Sequence, residues 1–355
     1  MYDVIVVGAR CAGSPTAMLL AREGHRVLMV DKATFPSDKL STHYIHPPGV
    51  QALERWGVLD TLLATNVPPI TKFSVSAGGV ALPIPPMEGV AYCPRRYLLD
   101  KILVDAAVEA GVEMREAFTV DEVLMDGERV TGIAGHSRGG ERATEEARYV
   151  VGADSHHSLV AKAVKAPKYR EREALTGAYY SYWSGVPTDG AEIHISDLGG
   201  VLAFPTNDDQ LCVAAGRAID GFKEYRADID GVFMQIVDGA PEFAARLRGG
   251  KREERWMGSA DVPNFFRKPW GDGWALVGDA GYMKDPVTGF GITDAFRDAE
   301  LLATALDEAL SGSRPADEAL GAYQEQRDAA AGPIYEMTLA MASGELASQF
   351  GAAAG

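Results

Sequence analysis

The run Trp274-Ala-Leu-Val-Gly-Asp-Ala-Gly-Tyr-Met-Lys-Asp-Pro-Val-Thr-Gly-Phe-Gly291 constrains this chain more than any other. Residues 275–277 read as a buried strand that runs into Gly278-Asp279. A loop with Pro286, Gly289 and Gly291 follows, and an alanine- and leucine-rich helix is expected over about 292–310. A strand that opens through a glycine-rich loop onto a helix start leaves backbone N–H groups unpaired at the positive end of the helix dipole. That arrangement holds phosphate-bearing ligands. The chain offers a second site of this kind at its other end.

There, residues 4–7 are a continuous β-branched run, as expected of a parallel strand buried on both faces. Gly8 makes the tight turn, Gly13 allows close helix–strand packing, and Asp31 ends the second strand about 20 residues on, placed to accept ribose hydroxyls. Lys32 follows it. Arg10 stands where a dinucleotide fingerprint has its middle glycine, so the loop sits differently or uses the guanidinium as an added phosphate donor. Two distant segments shaped for one large cofactor point to a flavin.

Gly8-Ala-Arg-Cys-Ala-Gly13, Asp31, Arg96 in Pro94-Arg-Arg-Tyr-Leu-Leu-Asp100, Asp154 in Val150-Val-Gly-Ala-Asp-Ser155, and Gly278-Asp279 with Pro286, Gly289 and Gly291 occur in a characteristic order. In it the chain resembles FAD-dependent monooxygenases of the para-hydroxybenzoate hydroxylase type, a fold shared with flavin halogenases and geranylgeranyl-reductase-like enzymes. The resemblance implies that Gly8, Gly13 and Ser14 line the FAD pyrophosphate and that Asp31 holds the adenosine ribose. It implies that Arg96 reaches the cofactor from its helix and that Asp279 binds the ribityl chain. The loop from Pro286 to Ile292 would lie along the flavin ring. The middle motif departs from the family's D-G-x-x-S-x-x-R. Asp154 is followed by Ser155, Ser158 is kept, and Ala161 with Lys162 stands at the arginine position, which bears on how NAD(P)H is handled.

At 355 residues the length allows two integrated domains. Residues 1–70, 95–165 and 260–330 alternate strands with amphipathic helices, the mark of a parallel α/β FAD-binding domain. Residues 71–94 and 170–258 carry short strand-like runs split by turn residues and predict an inserted antiparallel sheet that supplies the substrate pocket. A C-terminal helix with Pro333 at its start and a tail over 351–355 complete the expected α/β architecture. A net charge of −16 argues against nucleic acid or an anionic membrane as partner. No apolar run is long enough to span a bilayer and the chain opens directly as a strand, so a cytoplasmic enzyme without integral membrane contact is expected. Three scattered cysteines, Cys11, Cys93 and Cys212, imply neither a disulfide framework nor a zinc site. No metal is expected, and His156-His157 reads as a capping, solvent-facing pair.

Some residues are candidates for chemistry. His43 and His46, in Leu40-Ser-Thr-His-Tyr-Ile-His-Pro48, lie on a loop that in similar enzymes passes the flavin, and His43 is the first choice for a base. Lys284 precedes Pro286 and is a second catalytic candidate. Tyr180, Tyr182 and Phe204 would line the substrate pocket, with Arg217 pairing a substrate anion. The reading that follows is an NAD(P)H-dependent flavin monooxygenase of secondary metabolism. It would hydroxylate an aromatic or polyketide-like molecule with O2 through a flavin C4a-hydroperoxide. The alternative is a geranylgeranyl-reductase-like reduction of a carbon–carbon double bond. Tyr180-Ser-Tyr-Trp183 lacks that branch's Tyr-x-Trp-x-Phe-Pro, and Trp183-Ser-Gly-Val-Pro187 is too loose for a halogenase's Trp-x-Trp-x-Ile-Pro.

Overall fold

The computed structural model describes residues 1–344. A parallel sheet forms its centre. The strand Tyr2–Val7 lies between Val27–Val30 on one side and Arg142–Gly152 on the other, with Glu113–Arg115 and Trp274–Leu276 extending the two edges in parallel register. Alternation along the strands sends Val4, Val6, Val27 and Met29 to one face. There they pack on the helices Gly13–Arg22, Arg96–Glu109 and Gly291–Ser311. Ile5, Val7, Leu28 and Val30 fill the other face. Burial on both sides is why these strands carry unbroken apolar runs.

The predicted helical alternation over 95–165 fails after the Arg96–Glu109 helix. Phe118–Asp126, Arg129–Ser137 and Arg142–Gly152 form an antiparallel meander, and the last of them joins the central sheet. Gly127 and Gly140, both at positive φ, turn the two hairpins. Connections this short leave no room for a crossover helix.

A second sheet runs in the order Lys251–Arg252, Thr176–Ser184, Gln210–Ala218, Gly199–Thr206, Ala191–Ser196, Phe73–Ala77 and Val80–Ala81. It is antiparallel as expected, except that Phe73–Ala77 pairs in parallel with Ala191–Ser196. One face, with Tyr179, Trp183, Val201, Val213 and Ala215, packs on helices that include Ile229–Asp238 and Pro241–Gly249. The opposite face lines a cavity. A third small sheet joins Lys168–Arg172, Asn264–Arg267 and Tyr282–Met283.

The C-terminal helix differs from the expectation. It runs unbroken over Ala316–Ala342 with Pro333 inside it, because Ala331 and Tyr335 are buried against Phe266 and Tyr282. That packing offsets the roughly 3 kcal/mol an interior proline costs. The 351–355 tail lies outside the described residues.

Candidate cofactor and substrate site

A cavity of about 930 Å³ opens between the loops at the C-terminal ends of the parallel strands and one face of the second sheet. This is near the upper end of the ~300–1,000 Å³ usual for small-molecule sites. It runs from Arg10, Cys11 and Ala12 past Gly278 and Asp279, along Lys284–Val287, Gly291 and Ile292, to the free face of the second sheet.

At the N-terminal end, backbone sterics set the shape. A Cβ on Gly8 would lie 2.4 Å from the Ala153 carbonyl oxygen, and one on Gly13 only 1.7 Å from the Gly8 carbonyl oxygen. Only glycine lets the helix start this close to the strand end. A Cβ on Gly278 would meet the Ala12 methyl at 2.7 Å, so the two segments singled out in the sequence touch here. Ser14 turns its hydroxyl inward to the Met29 sulfur and gives its amide to Arg10 O. Asp31 accepts the Ala9 and Ala33 amides at 2.8 Å each, and it and the exposed Lys32 lie outside the cavity lining.

Arg10 is tied down. Its guanidinium bonds Asp100 and Ser37, and Arg96 makes a bidentate pair with the same fully buried Asp100. One carboxylate between two guanidiniums leaves a net positive charge on the cavity wall, beside the positive end of a helix. Lys39 lies in the same field, its pKa lowered by burial and then by Arg10, Lys32 and Arg96. Asp100 and Lys39 escaped the sequence reading. The i, i+4 spacing of Arg96 and Asp100 on one helix was the available signal for the first.

At the other end, Asp279 follows Gly278 (φ +60°) and is open to the cavity, although it lies deep in the molecule. Burial raises its pKa, while His156, Lys284, Arg96 and Lys39 pull it back. Asp285 accepts the Val287 amide and the Thr176 hydroxyl, and its amide donates to Asn264, so the Pro286–Thr288 turn is held from three sides. Gly289 closes that turn at φ +67°. Gly291 and Ile292, the first residues of a 21-residue helix, line the cavity with N–H groups that have no carbonyl four residues back. Lys284 is buried in an ion pair with Asp294, which also binds Arg297 at 2.7 Å.

Other candidates fall elsewhere. His43 is fully buried and off the cavity lining, with Tyr182 OH 2.6 Å from its Nε2. Burial, and then Arg96 and Arg95, hold its pKa well below the ordinary histidine value. His46 stacks on Phe290 at 3.7 Å and pairs with Thr288 O, fastening its loop to the turn. Tyr182 lies under Arg95, 3.7 Å from the guanidinium, and is likewise off the lining. Tyr180, Phe204 and Arg217 do line it. Asp154 caps the short Leu159–Ala163 helix by accepting the Leu159 amide at 2.7 Å, and its buried Oδ1 has no partner among the described residues. Ala161 is buried and Lys162 exposed, so neither offers a cation beside Asp154 in the way of the motif's arginine.

A family model described as an FAD binding domain matches residues 1–338. The chain belongs to this family of FAD-dependent oxidoreductases. It is 24% identical over 351 residues to a tryptophan 2-halogenase of Chondromyces crocatus, covering 90% of this chain and 64% of that enzyme. It is 25% identical over 339 residues to a digeranylgeranylglycerophospholipid reductase of Methanocella arvoryzae, covering 92% of this chain and 82% of that protein. Its fold matches PqsL, a probable FAD-dependent monooxygenase from Pseudomonas aeruginosa, with a TM-score of 0.82 at 22% identity over 97% and 96% of the two chains. The glycine cradle, the unmatched positive charge and the Gly291 helix start fit FAD in diphosphate and ring halves. No helix of the described residues is long and apolar enough to cross a membrane.

Proposed function

We propose that the protein is an NAD(P)H-dependent FAD monooxygenase that hydroxylates a largely apolar, aromatic or polyketide-like small molecule. One observation carries this reading: the expected flavin edge and an apolar pocket share a single cavity. Val75, Ile84, Ile193, Ile195, Leu202 and Phe204 form the pocket's walls, and the small residues Ala178, Ala214 and Gly216 leave room at its floor. Bound FAD would supply the redox and oxygen chemistry. The chain's own residues bind and align. The Arg10–Asp100–Arg96 group and the Gly13 helix would hold the diphosphate, and Asp279 would bind the ribityl chain. The Gly291 and Ile292 amides offer charge stabilisation where the ring would lie. The aliphatic walls exclude water from the substrate, and Arg217 offers a cation for a polar substituent. Lys284, neutralised by Asp294, holds the helix start.

Reduction of a carbon–carbon double bond is the second reading, favoured by the mainly aliphatic walls and by the Methanocella arvoryzae reductase among the relatives. Purified, FAD-loaded protein is assayed for NAD(P)H oxidation with a panel of apolar phenols, polyketides and polyprenyl compounds. Substrate-stimulated oxidation with label from 18O2 in the product supports hydroxylation. Turnover without oxygen incorporation, or only with added halide, overturns it.

A further inference from the structure

We propose that His156, His157 and Asp261 form a binding site for one divalent transition-metal ion at the rim of the cofactor cavity. Their ligand atoms all lie within 4.8 Å of one another. Asp261 Oδ2 stands 2.8 Å from His157 Nε2 and 3.7 Å from His156 Nε2. Tetrahedral coordination at metal–ligand distances near 2.1 Å separates ligand atoms by roughly 3.4 Å, so small side-chain shifts bring all three to one ion.

The local structure prepares the donors. Ser155 is held at φ +74°, and the two imidazoles that follow lie with ring centroids 4.0 Å apart. The Ser155 hydroxyl is 3.2 Å from His156 Nδ1. With Nδ1–H donating to it, the lone pair sits on Nε2, the atom turned toward Asp261. That Nε2 is buried and has no hydrogen-bond partner among the described residues. The His156 backbone is anchored separately, its carbonyl accepting from the Arg267 guanidinium. Asp261 comes from another part of the chain, between the Met257–Ser259 and Asn264–Arg267 strands, and its amide donates to Ser259 Oγ.

Two imidazoles and one carboxylate suit zinc, cobalt or nickel better than magnesium or calcium, which prefer all-oxygen sites. Three protein ligands leave at least one position for water. The ion would join the turn after the Arg142–Gly152 strand to the segment leaving the second sheet. Ser155, which lines the cavity, lies in that turn.

FAD-loaded protein freed of metal is titrated with Zn2+ by calorimetry and with Co2+ by difference absorption, and melted with and without Zn2+. The expected result is one equivalent bound, a new cobalt absorption, and a higher melting temperature with Zn2+. His157→Ala and Asp261→Ala should each weaken binding at least tenfold, and because both residues are exposed the variants should keep the flavin spectrum of the parent. His156→Ala should abolish the cobalt signal. No stoichiometric binding, or binding within threefold of the parent in the His157→Ala/Asp261→Ala double variant, overturns the proposal.

Discussion

Gly13→Ala tests the cofactor cradle most directly. The added methyl would sit 1.7 Å from the Gly8 carbonyl oxygen, 2.9 Å from its carbon and 3.1 Å from the Ala153 methyl. Two of these are backbone atoms at the end of the central strand, so no side chain can rotate away. The helix start must instead retreat by roughly 1.5–2 Å to reach ordinary contact. Such overpacking typically costs about 1–3 kcal/mol. The retreat also breaks the Ser14-to-Arg10 turn bond and carries the first helical amides away from the diphosphate. A charge-assisted hydrogen bond contributes about 1.5–3 kcal/mol, so losing one lowers FAD affinity about 10- to 100-fold. Fluorescence titration of flavin-free protein with FAD measures this, and thermal melting of the same sample reports the packing loss. A dissociation constant within threefold of the parent, with an unchanged melting temperature, would refute the argument.

Arg10→Gly restores the usual glycine but removes one of the two guanidiniums on Asp100, so FAD should bind more weakly; tighter binding would mean that the guanidinium gives nothing to the phosphates. Lys284→Met should destabilise the protein by about 2 kcal/mol in urea unfolding, less than the 3–5 kcal/mol of an orphaned buried charge, because Asp294 keeps Arg297. A loss above 4 kcal/mol would contradict that cushioning. His46 has a folded pKa lowered to about 4 from 6.5, chiefly by burial. A depressed base contributes stability in full above 6.5 and loses it as pH falls toward 4, an effect of up to about 3 kcal/mol. His46→Gln should therefore flatten urea midpoints between pH 7 and pH 4.5 relative to the parent. Parallel curves would place the titration elsewhere.

Local chemistry made the two cofactor segments legible from residues alone. The buried 4–7 run, the Gly8 turn, and the Gly278 strand-to-helix loop each depend on neighbours within about 30 positions, so their meaning survives without the fold. The second sheet was visible for the same reason, its turn residues and short alternating runs being local signals. Tertiary structure decided what depended on partners distant in sequence. Arg10 and Arg96 meet on Asp100, which no spacing rule links to residue 10. The same strand period that puts Tyr180 and Tyr182 on one face could not say that only Tyr180 reaches the cavity, because Arg95 and His43 cover Tyr182. His43 lies buried off the cavity lining, and burial is a property of everything packed around a residue. Pro333 sits inside a helix because Phe266 and Tyr282 hold the flanking residues in place. His156 and His157 looked like a surface pair until the fold brought Asp261 across to face them. Glycine's steric freedom is written in the chain itself, whereas a side chain's charge state, exposure and partners belong to the folded molecule.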